Sequence, residues 1–196
     1  QAGHGSLLPG DLPKSLGNLF LSGRYHRVLT GPDWYVDTAH NEQALTRVLT
    51  TFAARPGGHR KVVLFGAMAD KNLPAGTGRL LADFDGVVGA PVSLPRSLTA
   101  GELAARLEDW GLSPVAWDAA GDVAETVRVA PGMGEAISAL AASLRDGDEA
   151  LVTGSCFTVA EALHRMGFAD LEETRAPRPA TGLAEARSSD LGKESS

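Results

Sequence analysis

The sequence predicts an α/β domain: a Rossmann-like, mostly parallel sheet with helices on both faces, preceded by a β-hairpin element. Three observations carry that expectation. Short apolar runs alternate with amphipathic helix patterns, the order expected of a parallel sheet whose crossovers cover it. Cap and breaker residues bound the helical stretches, as in "RPGG" at 55–58 and the Thr99/Glu102 pair three residues apart. The 196 residues, 43% hydrophobic and 21% charged, are enough for one domain with a real core.

Taken in order, residues 1–20 are loop-like and begin with Gln1, which suggests a linker or the remnant of a missing N-terminal domain. The domain itself is expected over 21–170. "RVLTGPDWYVD" reads as two short strands around a turn at Thr30 to Asp33. Ala44, Leu45, Val48, Leu49 and Phe52 then fall at helical spacing. "KVVLFGAM" and "DGVVGAPVS" are buried-type strands, "SLTAGELAARLEDWG" is a helix with a capping box, and "SPVAWD" is a further strand candidate. Ile137, Leu140, Ala141 and Leu144 mark another helix. "EALVTGS" is a strand, and Val159, Ala160 and Leu163 belong to the helix after it. From Glu172 onward large apolar residues are few, so residues 171–196 are expected as a disordered tail.

Bulk properties exclude several functions. Lys and Arg total 18 against 24 Asp and Glu, a net charge of −6, and no basic stripe offers a nucleic-acid backbone a surface. A membrane span of roughly 18 apolar residues is not found. Cys156 is the only cysteine, which rules out an intrachain disulfide and fits a cytoplasmic location. It is expected as a small buried residue, without an adjacent histidine base. Ser155 does not sit in a G-x-S-x-G elbow. There is no G-x-x-x-x-G-K-[ST] loop, so this chain cannot cradle a triphosphate in that manner, and "PGMGEA" lacks the third glycine of a dinucleotide fingerprint. No set of residues has metal-ligand spacing.

Ligands of open parallel sheets bind beyond the carboxyl ends of the strands. Three apolar runs end in ligand-capable residues: Asp37-Thr38-Ala39-His40-Asn41, Gly66-Ala67-Met68-Ala69-Asp70-Lys71, and Thr153-Gly154-Ser155. Helix starts offer N–H groups to anions, Lys71 offers a charge, and Asp37 is placed to accept from ribose hydroxyls. Asp37 or Asn41 also suits a plain helix cap.

Five ordered motifs carry a resemblance: "SGRYHRV" at 22–28, "VDTAHNEQAL" at 36–45, "LFGAMADKN" at 64–72, "PRSLTAGEL" at 95–103 and "LVTGSCFTVAEAL" at 151–163. Together they resemble the C-terminal domain of the folylpolyglutamate synthase and dihydrofolate synthase family, in the Mur ligase superfamily. Leu21 and Ser22 replace the Trp-Pro of its W-P-G-R motif, Thr38 and Glu42 depart from D-G-A-H-N-P, and Asn72 replaces the last acid of D-K-D. The resemblance implies an ATP-dependent ligase that joins glutamate to a folate or pteroate through an acyl phosphate. It implies a partner N-terminal domain that carries the P-loop, the Mg2+ ligands and most of the folate pocket, without which this chain is inactive. Carried over, Arg24, Asp37 and Asn41 would meet the nucleotide, with Asp37 on the ribose; His40, Ser155 and Lys71 would stand at the glutamate and the reacting phosphate. Two other readings remain open from the residues alone: a non-catalytic module binding an anion or a partner protein, and the corresponding domain of a cell-wall precursor ligase.

Overall fold

The computed structural model describes residues 23–57, 59–70, 73, 75–118, 120–170, 172–180 and 183. Seven strands form one sheet: β1 (His26–Thr30), β2 (Asp33–Val36), β3 (Lys61–Phe65), β4 (Gly86–Gly89), β5 (Val127–Val129), β6 (Glu149–Thr153) and β7 (Arg178–Pro179), in the order β5-β4-β3-β6-β2-β1-β7. β2, β6, β3, β4 and β5 are mutually parallel, whereas β1 pairs antiparallel with β2 and parallel with β7. The hairpin is therefore part of the sheet, and its second strand lies beside β6. This is the α/β, Rossmann-like architecture that the alternating pattern predicts.

Among the described residues five helices cover the sheet: α1 (Glu42–Ala53), α2 (Gly76–Leu81), α3 (Ala100–Asp109), α4 (Met133–Ser143) and α5 (Cys156–Arg165). Strand side chains alternate between two cores, as the pleat requires. Trp34, Val36, Val62, Leu64, Ala150 and Val152 face α4 and α5, while Tyr35, Val63, Phe65 and Leu151 face α1, α2 and α3. The central strands are buried on both faces, which is why their sequences are apolar without alternation. Leu45, Val48, Leu49 and Phe52 form the buried stripe of α1, at the spacing read from the sequence. The Thr99 capping box is present: Glu102 N–H donates to Thr99 Oγ1 at 3.2 Å, and Thr99 N–H donates to the Glu102 carboxylate at 2.8 Å.

The structure corrects three expectations. "SPVAWD" makes no strand; Val115 forms one bridge to Arg128 beyond the β5 edge and is half exposed. Pro114 can donate no ladder hydrogen bond there, and no further strand lies outside it. The sequence reading left out α2 and the three-residue β5. The disorder expected from 171 does not hold for the first residues of that segment: Glu172–Arg175 form a 3-10 turn and Arg178–Pro179 extend the sheet. Few large side chains hold this segment. Arg178 donates to the Met166 carbonyl at 2.7 Å and stacks over the Phe168 ring at 3.7 Å, and His26 Nε2 lies 2.7 Å from the Thr174 carbonyl. A count of apolar residues does not register such contacts. Residues 1–20, and the tail after Ala180 apart from Leu183, lie outside the described residues.

Candidate functional site

The strand order places the three ligand-capable strand ends side by side. β3, β6 and β2 are neighbours and run the same way, so their carboxyl ends open at one edge. The chain moves outward from β3 to β4 and β5, then returns to the other side of β3 as β6. Such a switch point is where loops diverge and leave a crevice. Main-chain bonds tie the three loops together. Gly154 N–H donates to the Ala39 carbonyl at 3.1 Å, and Gly66 N–H to that of Thr153 at 3.2 Å. Thr158 Oγ1 donates to the Gly66 carbonyl at 3.1 Å. Gly154 has φ +112°, and a Cβ on it would lie 2.0 Å from the Gly66 carbonyl oxygen. Only glycine fits this crossing.

After β2 the loop divides its polar residues between two tasks. Asp37 is 7% exposed; its Oδ1 accepts Ala39 N–H at 2.8 Å and its Oδ2 accepts Tyr25 N–H at 2.8 Å. Asn41 is the N-cap of α1, with Oδ1 accepting Ala44 N–H at 2.9 Å. The cap that the sequence allowed for either residue thus falls to Asn41. His40 is exposed, with Nδ1 3.0 Å from the Thr38 carbonyl. A carbonyl only accepts, so in this contact Nδ1 carries the proton, and in the neutral ring Nε2 is left as an acceptor.

Ser155 is buried and caps α5, its Oγ accepting Thr158 N–H at 3.0 Å. The Thr158 hydroxyl lies 2.7 Å away and spends its own proton on the Gly66 carbonyl. The Ser155 proton therefore completes the Ser155–Thr158 bond, and Ser155 has none left to donate to a ligand. Cys156, expected to be buried, is exposed. It is the first residue of α5, and the buried stripe of that helix starts only at Thr158 and Val159.

On the α1 side of this edge lies a cleft of about 780 Å³, lined by Arg24, Tyr25, Asp37, Asn41, Gln43 and Arg47 among others. The structure thus brings together Arg24, Asp37 and Asn41, with His40 in the same loop. Ser155 lies at the end of β6 and is not part of the cleft lining. Lys71 lies outside the described residues. Arg24 and Arg47 are exposed, and neither forms an ion pair among the described residues. Sequence reasoning missed Arg47 and Tyr25. Arg47 looks like any solvated helix residue; the only signal was its position on the first turns after Asn41. Tyr25 has φ 44° and is the one non-glycine residue in the left-handed region among those described, a conformation that costs about 1–3 kcal/mol. Its neighbour in the motif, Arg24, drew attention instead. Among the described residues no three His, Cys, Asp or Glu side chains are placed to hold a metal ion, and no helix is long and apolar enough to cross a membrane.

Comparison with known proteins agrees with this fold. The family model described as "Mur ligase, glutamate ligase domain" matches residues 23–156. Among solved structures, Escherichia coli FolC in complex with DHPP and ADP aligns at 25% identity with a TM-score of 0.65, covering 81% of this chain and 34% of that one. The bifunctional folylpolyglutamate synthase/dihydrofolate synthase from Yersinia pestis shares the fold, with a TM-score of 0.66 at 23% identity over 84% of this chain and 36% of that one. So does the Mycobacterium tuberculosis folylpolyglutamate synthase complexed with ADP and AMPPCP, at 0.65 and 22% over 83% and 36%. This chain spans about a third of the length of each. No curated protein sequence matches significantly. The matched span takes in all three strand-end loops and the turn at Arg24, and the chain belongs to the Mur ligase family as a glutamate ligase domain.

Proposed function

We propose that this chain is the glutamate- and nucleotide-contacting domain of an ATP-dependent folate–glutamate ligase. The observation that supports it most is the gathering of Arg24, Asp37 and His40 at one edge of the sheet, inside the matched span. In the proposed reaction ATP phosphorylates a carboxylate of the folate or pteroate substrate. The glutamate amine attacks the resulting acyl phosphate, an amide C–N bond forms, and phosphate leaves. Such chemistry needs placed cations and the exclusion of water more than a protein nucleophile.

In this reading the Arg24 guanidinium meets the nucleotide's phosphates beside Asp37 and Asn41. His40 Nε2 accepts a proton from the glutamate ammonium, since Nδ1 is held by the Thr38 carbonyl. Lys71 takes a glutamate carboxylate. Ser155 serves by fixing the start of α5, its proton being spent on Thr158. In this reading Mg2+ is held mainly by a partner N-terminal domain that carries the P-loop. Closure of the two domains in the cytoplasm would then complete the site.

The test is a ligation assay with ATP, glutamate and a folate or pteroate acceptor. The chain alone should give no product. In the full-length enzyme that contains it, His40→Ala should lower turnover by about 100-fold or more. Ligation by the chain alone, or unchanged turnover in the variant, contradicts the reading.

A further inference from the structure

We propose that Asp37 is a positioning residue: its buried carboxylate locks Tyr25 in the left-handed conformation and thereby aims Arg24 into the cleft. The inference rests on the reading of Arg24 as the group that meets the nucleotide's phosphates.

Both Asp37 oxygens accept from main-chain donors. One accepts the N–H of Ala39, two residues on, and the other the N–H of Tyr25, twelve residues back. The carboxylate therefore cross-links the turn that enters β1 to the loop that leaves β2. Asp37 borders the cleft but is only 7% exposed, and each of its oxygens already holds a main-chain N–H.

Tyr25 needs such a lock. Left-handed backbone suits Gly, Asn or Asp, and an aromatic residue adopts it only when its surroundings dictate. Three contacts do so here. The N–H is held by Asp37, and the ring stacks on Tyr35 at 5.3 Å and 14°. The turn before it is held where Thr38 N–H donates to the Gly23 carbonyl at 2.9 Å. Gly23 has φ +71°, and a Cβ on it would lie 3.0 Å from Thr38 Cγ2. Arg24 sits between these anchors, exposed and at the cleft. A guanidinium carried on a backbone fixed on both sides loses less entropy when it binds.

The test uses 15N NMR on the full chain. Asp37→Asn keeps the shape but offers one acceptor oxygen, so one of the two N–H groups faces an amide nitrogen. Without ligand, Asp37→Asn should speed hydrogen exchange at Tyr25 and Ala39 by about tenfold or more. It should also lower the heteronuclear NOE of the Arg24 Nε–H, while the β3 and β6 amides stay as they are. Unchanged exchange and unchanged Arg24 order overturn the proposal.

The coupling is then read by titrating ADP into the full-length enzyme that contains this chain. Arg24→Ala and Asp37→Asn should each weaken binding by about tenfold, and the double variant should be no weaker than Arg24→Ala. Losses that multiply to about a hundredfold mean that Asp37 touches the ligand independently, which also overturns the proposal. 2′-DeoxyADP should lose the same factor in wild type and in Asp37→Asn. An ADP affinity of the full-length enzyme that Arg24→Ala leaves unchanged refutes the nucleotide reading, while the ligand-free exchange still decides whether the lock exists.

Discussion

The two ends of the sheet treat charge in opposite ways. At the amino ends of the parallel strands, charges are paired. Arg60, 15% exposed, donates to Asp148 and Asp122 at 2.7 Å each, to Glu125 at 3.3 Å and to the Ser143 carbonyl at 2.7 Å. Arg55 pairs with Glu149, Arg27 with Asp33 at 3.0 Å, and Lys61 Nζ caps the Ala53 carbonyl at 2.8 Å. At the carboxyl ends, Arg24, Arg47 and His40 are exposed, neither arginine forms an ion pair among the described residues, and the Asp37 carboxylate is spent on main-chain N–H groups. The first end neutralises its charges to hold loops together. The second ties its loops together through main-chain bonds and, apart from Arg96 and Asp70 at 3.9 Å, leaves its arginines Arg24 and Arg47 without an ion pair among the described residues.

The contrast can be broken by substitution. The largest effect is expected for Arg60→Ala, which strands Asp148, itself 3% exposed, without its guanidinium. Unfolding in urea should show a loss of about 3 kcal/mol. A loss under about 1 kcal/mol would mean that this end is no stronger than a surface ion pair.

Acid should act at the same end. Burial works to raise the Asp148 carboxyl, but Arg60 and the Arg145 and Arg60 N–H groups outweigh it and hold it below the ordinary 3.8. Burial of Asp122 is likewise outweighed, by the Ala124 N–H and Arg60. Both are depressed in the folded state. Their contribution is therefore fully present above the unfolded value of 3.8 and is lost as pH falls through the lower folded values. Unfolding followed from pH 5 downward should show this acid limb, and Arg60→Ala should weaken it and move it to higher pH. An identical limb in both proteins contradicts the assignment. The smallest effect is expected for Arg24→Ala, which should change stability by about 0.5 kcal/mol or less in the same urea measurement. A larger loss would make Arg24 part of the framework.

The site was legible in the sequence to the extent that it is local. An apolar run ended by small or polar residues marks a strand end, and three such ends, at Asp37, Gly66 and Thr153, proved adjacent. The helix signals held for the same reason: Thr99 and Glu102 meet within one turn. What was missed depends on distant partners. Ser155 reads as a free hydroxyl until Thr158 and Gly66, the latter 92 residues from Thr158, are seen to absorb its proton. Tyr25 gives no hint of its left-handed backbone, because the carboxylate that holds it lies twelve residues on. The β7 pairing depends on Arg178 meeting Met166 and Phe168, with no apolar pattern to announce it. Cys156 was misplaced because the buried face of α5 depends on where that helix begins.

The division between the two ends is tested most directly by a 15N NMR titration of the chain with ADP. Shifts are expected at Arg24, Tyr25, Ala39 to Asn41 and Arg47, with none at Arg60, Asp122 or Asp148. Shifts centred on the Arg60 cluster would contradict the proposal that the carboxyl-end edge is the nucleotide-contacting face.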